Sequence, residues 1–507
     1  MTLYASLLKR ITFGLFALYA FSGHSQAQDP GIKNGFYQNP VFAGDHPDPS
    51  IIRDGEDYYI VHSSFNYFPG LLIWTSKDLI NWQPVTHALT KNVGAVWAPD
   101  LVKYDNKFYI YFPANNTNYV VWADKINGPW SAPIDLKIGN IDPGHVADQD
   151  GNRFLYFSNG SYAPLAKDGL SITGEAKQVY DGWPIPENWS IECFCMEGPK
   201  IIKHGDYYYL TTAEGGTAGP ATSHMVVSAR SKSPLGPWEN SPYNPIIRTN
   251  SSTEKWWSKG HASLIDDAKG NWWMVFHGYE NGHYNMGRQT LLQPVEWTKD
   301  GWYKSPEGIK TEATLKKPAG QPIKSTFSLS DPFTTATLSS QWQFFEDYDP
   351  QRFKLTPNGI QIKAKGKSIG ESAPLLCTPS DHSYTAQVEV EIEGKATAGL
   401  ILFYDNRLYT GIAADAQNIL AILRSWQFTT KKDINKTHLY LRLEKKEQLV
   451  NMYYSTDNKE WHKIENSAEV SSFNHNVLSG FMSLKLGLSA VGDGQITFKN
   501  FIYTPQK

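Results

Sequence analysis

Residues 48–62 read DPSIIRDGEDYYIVH: an acid beside a proline, an apolar run, the turn Asp54-Gly55, then a second run rich in aromatics. Two strand-length runs joined by a Gly-containing turn read as a β-hairpin. The phrase returns as APDLVKYDNKFYIYF from Ala98, DPGHVADQDGNRFLYF from Asp142, EGPKIIKHGDYYYLT from Glu197 and HASLIDDAKGNWWMVFH from His261. The copies start roughly 45 to 65 residues apart, a period that suits one four-stranded propeller blade per copy. The sequence therefore predicts a five-bladed β-propeller in which each copy begins on the innermost strand, facing the central channel. Asp48, Asp142, Glu197 and His261 stand at four of these starts and Ala98 at the fifth. Three carboxylates are thus expected to converge on one end of one pocket. Asp-Pro can serve as turn chemistry alone, but Glu197 is a poor turn residue.

Working outward, 507 residues are ample for two cores, because single cores stop growing near ~250 to 300 residues. The net charge of -3, with acids and bases interspersed, provides no basic stripe and argues against a nucleic-acid partner. Lys9 and Arg10 precede an apolar run from Ile11 to Phe21, and Ser25-Gln26-Ala27 offers a small-x-small cleavage site. Residues 1–27 therefore read as a cleavable signal peptide, with Gln28 as the mature start, and export to the periplasm or beyond is expected. No later stretch is long and apolar enough to span a bilayer, so membrane insertion is not expected. The sequence carries no signal for oligomeric state.

The three cysteines, Cys193, Cys195 and Cys377, cannot form a disulfide framework. Cys193 and Cys195 stand too close in sequence to bridge easily, and no second pair with zinc spacing accompanies them. Buried thiols near the pocket are the expectation.

Residues 28–310 are assigned to the propeller. Thr311 to Ser325, with Lys316, Lys317, Pro318, Gly320 and Pro322, reads as a polar linker. From 326 to 507 short alternating runs follow: GIQIKA, YTAQVEVEI, GLILFY, HLYLRLEKK, QLVNMYYSTDNKEW, FMSLKLGLSA and GQITFKNFIYT. Such alternation predicts an antiparallel β-sandwich with one face of each strand buried, so the whole chain is read as all-β. No carboxylate cluster falls there. Trp426, Tyr404 and Phe403 suit sugar contact, but core packing is the commoner role for sandwich aromatics.

NPVFAGDHPDPSIIRDGEDYYIVHSSFNYFPGLLIWTSKDLINW, WAPD at Trp97 to Asp100, IDPGHVADQDGN, MEGPKIIKHGDYYYLTTAEGG, GHASLIDDAKGNWWMVFHGY and NMGRQTLLQPVEW resemble glycoside hydrolase family 43 from about Asn39 to Trp302. The C-terminal part resembles the concanavalin-like sandwich appended to the family's xylosidases and arabinofuranosidases. The resemblance implies a five-bladed propeller and an inverting, exo-acting glycosidase on oligosaccharides, with no cofactor needed for the chemistry.

Position by position, the resemblance implies that Asp48 is the general base, Glu197 the general acid and Asp142 the acid that orients and tunes its partner. An inverting glycosidase needs a protonated acid at the leaving oxygen and an ionised carboxylate holding a water on the opposite face, ~6.5 to 9.5 Å apart. Like charge from Asp142 is expected to keep Glu197 protonated. Glu192 is a rival acid, and Glu214 and Asp100 are weaker ones. Arg288 of MGRQT matches a family arginine that approaches the substrate, and Trp97, Phe65 and Trp74 are candidate walls for the terminal sugar. His261 matches a histidine that sits near a central calcium or water and often touches the metal only through water, and a purely packed channel histidine is the other reading. The lead substrate is α-L-arabinofuranose on hemicellulose side chains of xyloglucan or arabinoxylan, with β-D-xylose the alternative. An endo-acting arabinanase or a sugar-binding propeller without catalysis are the remaining readings. Pocket depth should be set by the loops Asp181 to Cys195 and Gly215 to Ser223.

Overall fold

The computed structural model describes residues 34–506; the signal-peptide reading of residues 1–27 lies outside them. Five antiparallel sheets follow one another along the chain, each opening on its innermost strand: Ser50–Asp54, Asp100–Tyr104, Gly144–Ala147, Met196–His204 and Trp256–Asp266. They are the five blades, here called blades 1 to 5. Each repeat supplies the first hairpin of its blade, as in the pairing of Ser50–Asp54 with Asp57–Val61. Apolar side chains fill the seams between consecutive blades: Ile51, Tyr58 and Ile60 meet Ile265, Trp273 and Val275 where blade 5 returns to blade 1. The ring is closed by Phe36–Tyr37, which pairs with Leu315–Lys316 beyond blade 5. Residues 311–316 of the stretch expected as a polar linker are therefore built into the ring: Thr311 is buried and Leu315 joins the core.

The C-terminal part is a β-sandwich whose two sheets share two long strands, Tyr384–Asp405 and Lys485–Pro505. Each read as two short strands in the sequence. The chain stays extended through the polar interruptions by bending at glycines: Gly394, Gly492 and Gly494 lie at positive φ, where Gly carries no Cβ penalty. One further difference bears on function. The strand expected from Phe481 begins only at Lys485, and residues 481–484 form a loop that leans on the propeller.

The two parts are joined by backbone. Gln343–Phe345 of the sandwich pairs with Tyr67–Phe68 of blade 1, with Phe344 opposite Phe68 and Phe345 opposite Tyr67. Phe65 and Tyr67 are members of the sandwich core. Phe403 and Tyr404 are fully buried core residues, whereas Trp426 is 74% exposed on the edge strand Trp426–Lys431.

Candidate active site

Four of the five inner strands are entered through a residue in the left-handed region: Asp48 (φ 58°), Asp142 (φ 57°), Gly198 (φ 61°) and His261 (φ 58°). This backbone bend aims each side chain at the channel. It also corrects the alignment of the fourth copy. The equivalent of Asp48 is Gly198, and Glu197 stands one residue earlier. A Cβ on Gly198 would lie 2.8 Å from the His261 ring, so that channel position is already filled by the imidazole. The shift leaves Glu197 on the rim: its side chain is 22% exposed, against 5% for Asp48 and 6% for Asp142.

Asp48 is gripped on both oxygens. Arg288 donates through Nη1 to Oδ1 (2.9 Å) and through Nη2 to Oδ2 (3.3 Å), and Ser63 Oγ donates to Oδ2 (2.5 Å). His277 Nδ1 stands 3.1 Å from both the Asp48 amide and Oδ1. Burial pushes the Asp48 carboxyl up, but Arg288, His261 and His277 outweigh it and hold it well below the usual carboxylate range. Asp48 is thus a committed anion.

Asp142 accepts the Gly198 amide (3.1 Å), and its Oδ2 lies 3.6 Å from His261 Nε2, which is also 4.0 Å from Asp48 Oδ1. Burial, with Glu197 and Asp48 nearby, raises Asp142 despite His261. His261, lowered by burial, is raised further by the three carboxylates around it, so its net direction is up.

The expectation that Asp142 keeps Glu197 protonated needs correction. His224 Nε2 lies 2.9 Å from Glu197 Oε1, a partner that motif reading did not supply. Burial pushes Glu197 up, but the His224 contact overrides it and brings the carboxyl down to about 2, while Asp142 is the acid that rises. Gly260 makes room for this imidazole: a Cβ there would meet His224 Nδ1 at 2.3 Å.

The sugar-wall candidates divide. Arg288 lies over the Phe65 ring (5.8 Å) and also over Phe481 of the sandwich (5.3 Å), and Phe481 meets Trp97 at 5.9 Å. Phe65, Trp97 and Arg288 thus share the channel mouth, with Phe481 closing it from the other domain. No sequence periodicity marks Phe481. Trp74 sits elsewhere: it packs on Phe327 of the sandwich (5.0 Å) and lines a cavity of about 1850 Å³ between the domains. Ser63 and Phe65 line the same cavity.

The rival acids have other work. Glu192 Oε2 accepts the Ala218 amide (2.7 Å), tying the two rim loops together. Glu214 accepts the Trp183 amide (2.7 Å), and burial raises it to about 7. Asp100 pairs with Lys200 (2.8 Å). Cys193 and Cys195, expected as free buried thiols, form a disulfide, because the loop holds their Cα atoms 5.3 Å apart, within bridging range. Phe194 between them is 70% exposed.

The calcium reading of His261 does not fit the donors. Ca²⁺ takes about six to eight oxygen ligands. Two residues along the inner strands from Asp48 and its equivalents, the channel is spanned by Lys200 of blade 4, whose ammonium donates to Asp100 Oδ1 and Pro99 O of blade 2 (2.8 Å each). Asp100 further accepts Ser50 Oγ (3.2 Å) and the His145 amide (2.7 Å). The cation beneath the site is a lysine, and the carboxylates around it are already bonded. His261 Nδ1 is buried without a hydrogen-bond partner.

Comparison with known proteins agrees with this geometry. Residues 37–303 match "Glycosyl hydrolases family 43", and residues 330–504 match "Beta xylosidase C-terminal Concanavalin A-like domain". A non-reducing end alpha-L-arabinofuranosidase of Bacteroides ovatus is 30% identical over 90% of this chain and 92% of its own. A xylan 1,3-beta-xylosidase of a Vibrio species is 29% identical over 84% of this chain and 90% of its own. The crystal structure of the family 43 protein XynB of Bacillus licheniformis superposes with a TM-score of 0.84 at 28% identity, covering 93% of this chain and all of that one. Enzymes of this family hydrolyse glycosidic bonds of oligosaccharides and need no cofactor to do so. With the five blades, the converging carboxylates and the appended sandwich all in place, the chain belongs to glycosyl hydrolases family 43 and is a glycosidase.

Proposed function

We propose that this glycosidase is exo-acting and inverting, and that it removes non-reducing-end α-L-arabinofuranosyl residues from hemicellulose side chains, with Asp48 as general base and Glu197 as general acid. The observation that carries the reading is the unequal setting of the two groups. Asp48 is buried and fixed as an anion by Arg288 and Ser63, which suits it to hold a water and take its proton as the water attacks the anomeric carbon. Glu197 faces the rim, with His224 Nε2 2.9 Å from its Oε1, a position that suits it to protonate the departing oxygen. Asp142, held by the Gly198 amide, fixes the strand entry behind Glu197 and sets the local charge. No covalent intermediate is needed: the water's hydroxyl joins the sugar, its proton goes to Asp48, and the leaving group departs with the proton from Glu197.

Phe481 over the mouth supports an exo pocket, since a closed end leaves room for a terminal sugar. The Bacteroides relative supports arabinofuranose as that sugar. The Vibrio relative, almost as similar, supports β-xylose as the second reading. The basic and apolar leader supports export, to the periplasm first.

The test is monosaccharide release from 4-nitrophenyl α-L-arabinofuranoside and β-D-xylopyranoside in parallel, with ¹H NMR following the anomer first released. Arabinose release with inverted configuration is expected. Preferential xylose release would promote the second reading, and a retained configuration would end the base assignment.

A further inference from the structure

A second pocket lies beside the general acid. Residues 181–195 run from the last strand of blade 3, Lys177–Gln178, to the inner strand of blade 4. Between them and the end of the strand Tyr207–Glu214 opens a cavity of about 640 Å³, lined by Trp183, Ile185, Phe194, Met196 and Glu214. Met196, the residue before Glu197, stands opposite Glu214 in the sheet, so the two side chains share a face. The loop is pinned to the strand end on both sides of Phe194. The Glu192 and Cys193 amides donate to Gly215 O (3.0 and 3.3 Å), the Gly215 amide donates to Cys195 O (3.1 Å), and the Cys193–Cys195 disulfide brackets the ring. Phe194 is thereby held 70% exposed. Glu214 is its opposite: 2% exposed, it takes one hydrogen bond, from the Trp183 amide, and no cation pairs with it among the described residues.

The pocket stands on the side of the site that the sandwich leaves open. The sandwich reaches the propeller at blade 1 through Tyr67–Phe68, and at blade 5 through the Leu484 amide, which donates to Asn285 O (3.0 Å). Phe481 closes the mouth against Trp97 at the entry to blade 2. In a ring of five, the remaining arc belongs to blades 3 and 4, which residues 181–195 bridge.

We propose that this pocket receives the sugar from which the terminal residue is cleaved, and that it selects a neutral pyranose there, laid on Phe194 with a hydroxyl donated to Glu214. The inference rests on the reading of Glu197 as the acid at the leaving oxygen. Phe194 precedes Glu197 by three residues, at most about 10 Å of extended chain, so a sugar joined through that oxygen is within its reach. The C–H face of a pyranose and an aromatic ring bury apolar area against each other. A nearly buried carboxylate with one hydrogen bond has capacity left for a hydroxyl donor, and such isolated polar groups orient a ligand in an otherwise apolar pocket. The same lining opposes anionic sugars. Asp181 and Glu187 join Glu214 in it, and no Lys or Arg does among the described residues. A uronic acid would enter against like charge with no cation to meet it. Arabinofuranose on a xylan chain and xylose at a xylan end both depart from a xylopyranose, so the ligand of this pocket is the same for either terminal sugar.

The experiment titrates the full chain carrying Asp48→Asn, which suppresses hydrolysis, with xylotriose by calorimetry, and then with xylotriose bearing a glucuronosyl branch. Saturable binding of xylotriose is expected, weakened about tenfold when Phe194→Ala is added. Trp426→Ala, at the exposed aromatic on the sandwich edge, should leave it unchanged. The branched acid should bind roughly tenfold more weakly than xylotriose, a gap that narrows in Glu214→Gln. Because Phe194 is exposed, its removal leaves the fold intact and its arm is decisive. Undiminished binding in Phe194→Ala, no saturable binding at millimolar xylotriose, or equal binding of the acidic and neutral sugars would overturn the proposal. Binding is read here without hydrolysis, so a failure of the acid assignment, seen as full turnover in Glu197→Gln, stands apart from a failure of the pocket.

Discussion

The sandwich is held by one continuous apolar core running from Leu329 to Tyr503. The propeller instead divides its apolar side chains among the seams between blades and leaves its axis to Asp48, Asp100, Asp142, Lys200, His261 and Arg288, all buried. Closing a ring of blades lets each seam bury its own faces, so the axis need not be apolar for the fold to hold. Buried charges there pair with one another across blades, and their pairing sets their protonation. A sandwich offers no such axis. Its contribution to the site is a single loop, and through it Phe481.

The sharpest break of this contrast is removal of the axial acids. Glu197→Gln and Asp48→Asn should each lower kcat by about 10²- to 10⁴-fold, with the β-rich circular dichroism spectrum retained. Activated aryl glycosides should partly spare Glu197→Gln, because a good leaving group needs less protonation. Near-normal turnover in either variant would move the chemistry off the axis.

Next in size is Lys200→Met, which leaves Asp100 buried and unpaired. A loss of about 3–5 kcal/mol in urea unfolding is expected, and the double change with Asp100→Leu should recover much of it. A loss near zero would mean the axial pair does not hold blades 2 and 4 together.

Phe481→Ala tests the sandwich's share. It should raise KM about tenfold, equivalent to ~1.4 kcal/mol, with little change in kcat and in the melting temperature. An unchanged KM would make the sandwich a bystander.

The smallest effect is a displacement and not a loss. In His224→Asn the contact that brings the Glu197 carboxyl down is lost, and burial then pushes that carboxyl up. The basic limb of the kcat/KM profile should therefore move toward alkaline pH, most visibly with poor leaving groups. A limb that stays in place would mean that His224 does not set the protonation of Glu197.

Much of this was legible in the sequence because it is written locally. Strand, turn and strand recur with an acid and a proline at the entry, so the blades and the meeting of Asp48, Asp142 and Glu197 could be read from spacing and motif. The offset at Glu197 was not legible. The repeat suggested that Glu197 faces the channel as Asp48 does, but the left-handed position belongs to Gly198, and the reason is the His261 ring, far away in sequence. His224 and Phe481 escaped for the same reason: one is aimed at Glu197 across blade 4, the other arrives from another domain. The packing of Trp74 on Phe327 of the sandwich was not legible either, because the two rings meet across a domain boundary. The Cys193–Cys195 bridge depended on a loop bend that residue spacing does not report.

The pairing of Tyr67–Phe68 with Gln343–Phe345 bears on how this protein can be taken apart. A chain ending near residue 325 would keep all five blades but leave two residues of blade 1 with unpaired amides and carbonyls beside the uncovered rings of Phe65 and Tyr67. Exposed strand edges flanked by apolar surface recruit other strands. The expected product of such a truncation is not a smaller soluble enzyme but a self-associating one, so the boundary between catalytic and accessory parts is a boundary of topology and not of independent folding.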